Sequence, residues 1–299
     1  GTIDFIIHST VPQFKDITRW LQGDFNGDGR TDVGFFSKTD GNFWIGEATP
    51  DGFRYRIYNN INYGPGMSVM NTPLPKDEVV IGKSGRVIST ASNTEAVSYE
   101  YNKNYRSGAG EDVFTGYFSQ NTTAEQLIYK KREGDLYLKT GTGEPSKVMS
   151  VTMHGEDIKV LNNARAIEHG GKHSIAYYEK SSSLFGGNSH TIHFVSGTSP
   201  GVIGEVGTAS FDDSTISEFD IDKSLFAIDR FKVSDDNLYT IILDDKAADA
   251  KFVLVDGSDV TDLAITGDIT KETLKDGRSK GFVLVSGFFA HGADRSQIV

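Results

Sequence analysis

Apolar residues fall in short runs along this chain, each closed by Gly, Asn, Asp or Ser. The clearest are residues 2–9 (TIDFIIHS), 41–48 (GNFWIGEA), 125–141 (EQLIYKKREGDLYLKTG), 238–245 (LYTIILDD), 251–257 (KFVLVDG) and 280–289 (KGFVLVSGFF). They are rich in β-branched and aromatic residues and too short for helices. This pattern predicts antiparallel strands joined by tight turns. Gly counts 33 and Pro only 7, which suits turns that need positive φ. One helical signal stands out, residues 268–277 (DITKETLKDG), with Asp268 placed to cap it. The expected class is all-β.

The runs also repeat. The segment QGDFNGDGRTDVGFFSKTDGNFWIGEA from Gln22 and the segment TGYFSQNTTAEQLIYKKREGDLYLKTG from Thr115 share one grammar. Each has Gly, one residue, Phe, a polar loop, an apolar strand, a polar turn and a second apolar strand. SGFFAHGADRSQIV from Ser286 repeats the first half, and IDRFKVSDDNLYTIIL from Ile228 is a more distant copy. The anchors are Phe25, Phe118, Phe231 and Phe289, and the first two separations are about twice the third. Intermediate copies fit at residues 73–90 and 164–180. A unit of roughly 45–60 residues is the size of a four-stranded propeller blade. The expectation is one domain over residues 1–299, a β-propeller of about six (six to seven) blades. Blades would start near residues 22, 70, 115, 164, 228 and 286. The N-terminal strand is expected to pair with the last blade, closing the ring and covering its sheet edges. The competing reading is a pair of β-sandwiches.

Bulk properties narrow the partners. The 299 residues suffice for a sizeable core, and 24% charged with 37% hydrophobic residues is a globular balance. A net charge of −11 argues against nucleic acid and anionic membranes, which need a basic face. There is no cysteine, so disulfides, zinc–thiolate sites and thiol nucleophiles drop out together. No apolar run approaches the roughly 18 residues of a membrane helix, so no membrane insertion is expected. No charged-then-apolar leader begins the sequence, as expected of a mature form, an excised domain or a cytosolic protein.

The densest chemistry lies in GDFNGDGRTDVGFF, residues 23–36. Asp24, Asn26 and Asp28 take positions 1, 3 and 5 of a loop. Gly29 at position 6 permits a sharp turn, Arg30 at position 7 offers its carbonyl, and Asp32 stands at position 9. Oxygen-only donors at this alternation suit Ca²⁺, which takes 6–8 oxygens at about 2.3–2.6 Å. Three carboxylates this close repel one another without a cation. The loop is no EF-hand, because position 12 is Phe35 rather than a bidentate Glu. The competing reading is an Asx-rich turn that holds no metal.

GDFNGDGRTDV resembles the FG-GAP/VCBS repeat, the blade unit of integrin α-chain propellers and of many bacterial surface and toxin proteins. The likeness is strong over residues 18–50, moderate over 114–141 and faint elsewhere. It implies a propeller with calcium in the loops between blade strands, and Asp24, Asn26, Asp28, the Arg30 carbonyl and Asp32 as ligands. Other copies depart from the pattern. Tyr117 and Phe288 replace the first aspartate, Ala290 replaces the asparagine, and Arg230 and Lys232 replace the carboxylate and amide. Basic side chains in that last copy are expected to fill the cation's place. One intact loop in a degenerate ring implies one structural Ca²⁺.

The remaining candidates favour plainer uses. His190 and His193 point to opposite strand faces and read as surface histidines. His169 and His173 lie in a Gly-rich loop, where a ligand pair is the minority reading. GTGEPSK at 141–147 lacks the ending and following helix of a phosphate loop. Asp235–Asp236 and Asp244–Asp245 read as solvated turns rather than glycosidase carboxylates. Asn121–Thr123 is a glycosylation sequon only in a eukaryotic source. Trp20, Trp44 and the tyrosines of residues 53–64 suit packing better than sugar stacking.

The resemblance implies a non-enzymatic, calcium-stabilised module, secreted or at a bacterial cell surface, of the kind found in Tc/RHS-type toxins and adhesins. Its partner would be a protein, a glycan or the neighbouring domains of a larger chain. The alternative is a carbohydrate-active enzyme or lectin on a propeller scaffold, which needs His, Tyr, Arg and carboxylates gathered at one end of the ring. A third reading is a structural spacer.

Overall fold

A computed structural model describes residues 1–5, 17–23, 25–26, 28, 30–37, 40–62, 68–69, 79–83, 86–90, 110–116, 118–119, 125–140, 143–151, 158–161, 174–183, 186–232, 237–287, 289 and 297–298. The chain is all-β. After β1 (Thr2–Phe5), a first sheet is built from β2 (Ile17–Gly23), β3 (Asp32–Ser37), β4 (Asn42–Thr49) and β5 (Gly52–Asn62). A second has β6 (Ser68–Val69), β7 (Val79–Lys83) and β8 (Arg86–Thr90). A third has β9 (Glu111–Gly116), β10 (Glu125–Lys130), β11 (Asp135–Thr140) and β12 (Ser146–Ser150). A fourth has β13 (Ile158–Leu161), β14 (Ile175–Ser183), β15 (Gly186–Ser199) and β16 (Val202–Asp212). A fifth has β17 (Leu225–Asp229), β18 (Tyr239–Asp244), β19 (Lys251–Asp256) and β20 (Asp259–Gly267). Helix α1 (Lys271–Leu274) follows, and β21 (Ser286–Gly287) pairs with β22 (Gln297–Ile298).

Within each sheet of three or four consecutive strands, chain neighbours are antiparallel neighbours, a simple meander. Turn chemistry explains why. Gly41, at φ 72°, opens the turn into β4 and donates its N–H to Ser37 O at 3.0 Å. Central strands are buried on both faces, as in Asp32–Ser37 and Tyr239–Asp244, so apolar residues occupy successive positions within them and even the polar Asp32, Ser37, Thr240 and Asp244 are buried.

The core lies between sheets. Leu127 and Leu136 of the third sheet share a buried cluster with Ile175 and Val195 of the fourth. Ile192 and Phe211 of the fourth pack with Ile242 and Val253 of the fifth. Ser210 N–H donates to Gly257 O at 2.6 Å across that same boundary. Phe282, Leu284 and Ile298 pack on Ile241, Leu243 and Phe252 of the fifth sheet. Val285 and Phe289 cluster with Val33, Phe53 and Tyr55 of the first, and the Phe53 and Phe289 rings meet edge-on at 5.8 Å. The C-terminal segment thus touches both the fifth sheet and the first.

Four expectations need correction. Among the described residues, the N-terminal strand does not pair with the last segment. β1 runs parallel to β20 at the outer edge of the fifth sheet, Thr2 opposite Ala264 and Phe5 opposite Gly267. That edge offered free backbone groups, which β1 satisfies. Among its described residues, the run at 280–289 supplies only the two-residue strand β21, because Phe282 N–H turns back to Gly277 O and Gly281 adopts φ 76°. The helix is capped by Thr270, not Asp268: the Thr270 side chain accepts from Thr273 N–H. Asp244 and Asp245 are not solvated, at 1% and 4% exposure. Asp244 accepts N–H bonds from Ser217 (2.8 Å) and Ala247 (3.1 Å), and Asp245 takes the Arg278 fork at 2.9 and 3.2 Å.

Candidate metal centre

β2 and β3 pair up to Gly23–Asp32, so the carboxylate-rich stretch is the loop that joins them. Phe25 anchors it. Its ring is buried at 3% exposure and meets Phe43 edge-on at 5.6 Å. Room for both rings comes from Gly34, where a Cβ would stand 2.7 Å from Phe43 and 3.0 Å from Phe25. The loop's other end is equally enclosed. Thr31 is buried, and a Cβ on Gly287 would fall 2.6 Å from its methyl.

Between these anchors the side chains knit together. Asp28 N–H donates to Asn26 Oδ1 at 3.0 Å, and Asn26 Nδ2 donates to Asp28 Oδ2 at 3.2 Å. Arg30 N–H donates to Asp28 Oδ1 at 2.9 Å, and Arg30 Nε to Asp28 Oδ2 at 3.0 Å. Arg30 Nη2 forms a short ion pair with the same oxygen. The guanidinium, first, holds the Asp28 carboxyl below the usual carboxylate range. Asp32 is fully buried at the start of β3 and accepts the Ala48 N–H at 2.7 Å. The structure therefore joins Asn26, Asp28 and Arg30 in one hydrogen-bonded turn and fixes Asp32 from the sheet. Asp24 lies outside the described residues, as do Gly29, Tyr117, Asn121–Thr123, His169, His173, Asp235, Asp236, Phe288 and Ala290. Among the described residues, no group of three or more His, Asp or Glu is placed to hold a metal. The oxygen donors fit a hard cation: Asn26 Oδ1, the Asp28 and Asp32 carboxylates and the Arg30 carbonyl.

The corresponding loops of two other sheets are closed differently. In the third sheet Ser119 follows Phe118 as Asn26 follows Phe25, and Glu125 opens β10 as Asp32 opens β3. Glu125 is buried and accepts from Ser119 N–H (2.6 Å), Ser119 Oγ (2.5 Å) and Thr140 Oγ1 (3.2 Å). Gly201 N–H donates to the same Ser119 hydroxyl at 2.8 Å, tying this loop to the fourth sheet. In the fifth sheet Lys232 follows Phe231. Its ammonium pairs with Asp256 and lies 4.6 Å from the centre of the Tyr239 ring, which opens β18. Sequence reading missed the Glu125 clamp, although an acidic residue at the Asp32 position was its signal.

The histidines do lie on opposite faces of β15, yet His190 is not a surface residue. It is fully buried, with Nδ1 2.7 Å from Tyr178 Oη and Nε2 2.8 Å from Asp213 Oδ1. Phe211 and Phe219 flank its ring at 5.2 and 5.3 Å. Asp213 also accepts from Asn188 N–H and Nδ2, and its carboxyl is held low by the His190 hydrogen bond first. His193 stacks on Tyr177 at 4.3 Å, between Glu205 (2.5 Å) and Glu179 (3.2 Å). Burial, then the charges of Glu205 and Glu179, push the Tyr177 hydroxyl up to about 12. Phe53 and Tyr55 serve packing, and Trp44 donates its indole N–H to Asp40 at 3.2 Å.

Among the described residues no helix is long and apolar enough to cross a membrane. No family model, curated protein or solved structure matches this chain.

Proposed function

We propose that this chain is a calcium-stabilised β-propeller of about six blades that acts as a non-enzymatic binding or scaffold module. Its setting is secreted or on a bacterial cell surface, and its partner is a protein, a glycan or neighbouring domains. The observation that carries the reading is the order of packing. The third sheet packs on the fourth and the fourth on the fifth, while the C-terminal segment bridges the fifth to the first. Meanders packed face to face in chain order, with the end returned to the beginning, are what a propeller requires.

Asp24, Asn26, Asp28, the Arg30 carbonyl and Asp32 would hold the ion. When bound, it neutralises the loop carboxylates and cross-links residues otherwise held by turn hydrogen bonds. Its role is structural, since Thr31 at the end of the loop sits beneath Gly287, where the C-terminal segment meets the first sheet.

The test is to probe glycan and protein arrays with the whole chain in calcium and in EGTA, and to assay polysaccharides for released products. Capture of a defined ligand without product supports the module. Sugar release would overturn it in favour of a carbohydrate-active enzyme.

A further inference from the structure

We propose that Arg30 is a tethered competitor for the cation of the first loop, so that its guanidinium sets the loop's calcium affinity. This rests on the calcium reading above. The Asp28 carboxylate already carries four donor contacts, three of them on one oxygen. Oδ2 receives Arg30 Nε at 3.0 Å, Arg30 Nη2 in a short ion pair, and Asn26 Nδ2 at 3.2 Å. Oδ1 receives Arg30 N–H at 2.9 Å, and Asn26 Oδ1 receives Asp28 N–H at 3.0 Å. A calcium ion needs the lone pairs of these same oxygens. An ion bound through Oδ2 must turn the guanidinium aside, and one bound through Oδ1 must share the carboxylate with the guanidinium charge.

The Arg30 and Asp28 side chains are 19% and 29% exposed, so solvent screens them only in part. The planar fork of a guanidinium also matches a carboxylate in a way an ammonium does not. The fifth sheet supplies an independent parallel. There the Lys232 ammonium stands beside Asp256 and over the Tyr239 ring, one residue past the anchoring Phe231. In the third sheet, Glu125 takes up the loop amide and hydroxyls. All three loops thus carry an internal answer to their polar groups. The first alone combines an internal cation with the oxygen alternation that suits an external one. Because Arg30 would ligate through its carbonyl, its side chain is free to leave while its backbone stays.

The experiment is calorimetric titration of the full chain with calcium chloride, using wild type, Arg30→Ala and Arg30→Gln. Thermal midpoints in EGTA are read alongside. Breaking a partly exposed ion pair predicts calcium binding about two- to fivefold tighter in both variants. Their midpoints in EGTA should fall, because the metal-free loop has lost its counter-charge. Should wild type bind calcium while both variants bind it equally or more weakly, the competition is overturned and the calcium reading stands. If wild type takes up no calcium, both are overturned. Arg30→Gln removes the charge while keeping a polar, though shorter, side chain, and it carries the test should Arg30→Ala fail to fold.

Discussion

Gly287 lies against Thr31 so closely that a single added carbon would stand 2.6 Å from the threonine methyl and 2.8 Å from its Cβ. The two residues belong to opposite ends of the described chain. Gly287 is in β21, and Thr31 closes the loop before β3. Their contact is where the C-terminal segment seats on the first sheet, beside Val285, Phe289 and Phe53. Gly287→Ala should therefore destabilise the protein by about 1–3 kcal/mol, the usual cost of overpacking. Urea unfolding measures it. Adding Thr31→Ser removes the nearer of the two colliding atoms and should restore part of the loss. An unchanged midpoint in Gly287→Ala would mean the ends are not in contact.

The Glu125 clamp makes a prediction of a different kind. Glu125→Ala leaves the Ser119 amide and two hydroxyls in a closed loop without their acceptor. Each such group costs about 1–3 kcal/mol when nothing replaces the bond. The midpoint should fall by the same amount in calcium and in EGTA, because the clamp needs no metal. Glu125→Gln, which keeps an acceptor oxygen, should cost less.

Lys232→Met removes an ammonium that answers Asp256 and faces Tyr239. Both charged side chains are about 40% exposed, so the pair is worth only about 0.2–1 kcal/mol. Calcium should not rescue the loss. Lanthanide titration of wild type should find one ion, and a second ion in the fifth-sheet loop would contradict the substitution of lysine for metal.

Asp213 predicts a pH dependence. Its folded carboxyl is held below the ordinary carboxylate value, chiefly by His190. A depressed acid contributes stability that is present above the unfolded value of about 3.9 and fades as pH falls through the lower folded value. The stability gap between wild type and Asp213→Asn should thus hold at pH 6 and close as pH drops below about 4. Urea midpoints across that range decide it. A gap that widens in acid would reverse the sign.

Local chemistry was legible and long-range pairing was not. The strand runs at 41–48, 125–141, 238–245 and 251–257 carry their own turn residues and appear as strands. Spacing also placed Asn26, Asp28 and Asp32 at a strand-to-strand loop. β1 was different: its apolar alternation says that it pairs, but nothing local says that the partner is β20. The acidic pair Asp244–Asp245 looked like a turn because its partners, Ser217 and Arg278, lie 27 and 33 residues away. His190 looked exposed for the same reason. Asp213, whose carboxylate lies 2.8 Å from its Nε2, is 23 residues further along, and the aromatic rings around it come from separate segments. Polar residues buried by distant partners leave no periodic trace.

The central claim is that the loop between β2 and β3 is a structural calcium site. The most direct measurement is thermal unfolding of wild type and Asp28→Ala, each in calcium and in EGTA. A metal held only by the native state raises the midpoint by mass action. The account predicts a higher wild-type midpoint in calcium than in EGTA and no calcium response in Asp28→Ala. A wild-type midpoint that is identical in both buffers would contradict it, leaving the loop a metal-free turn closed by Arg30.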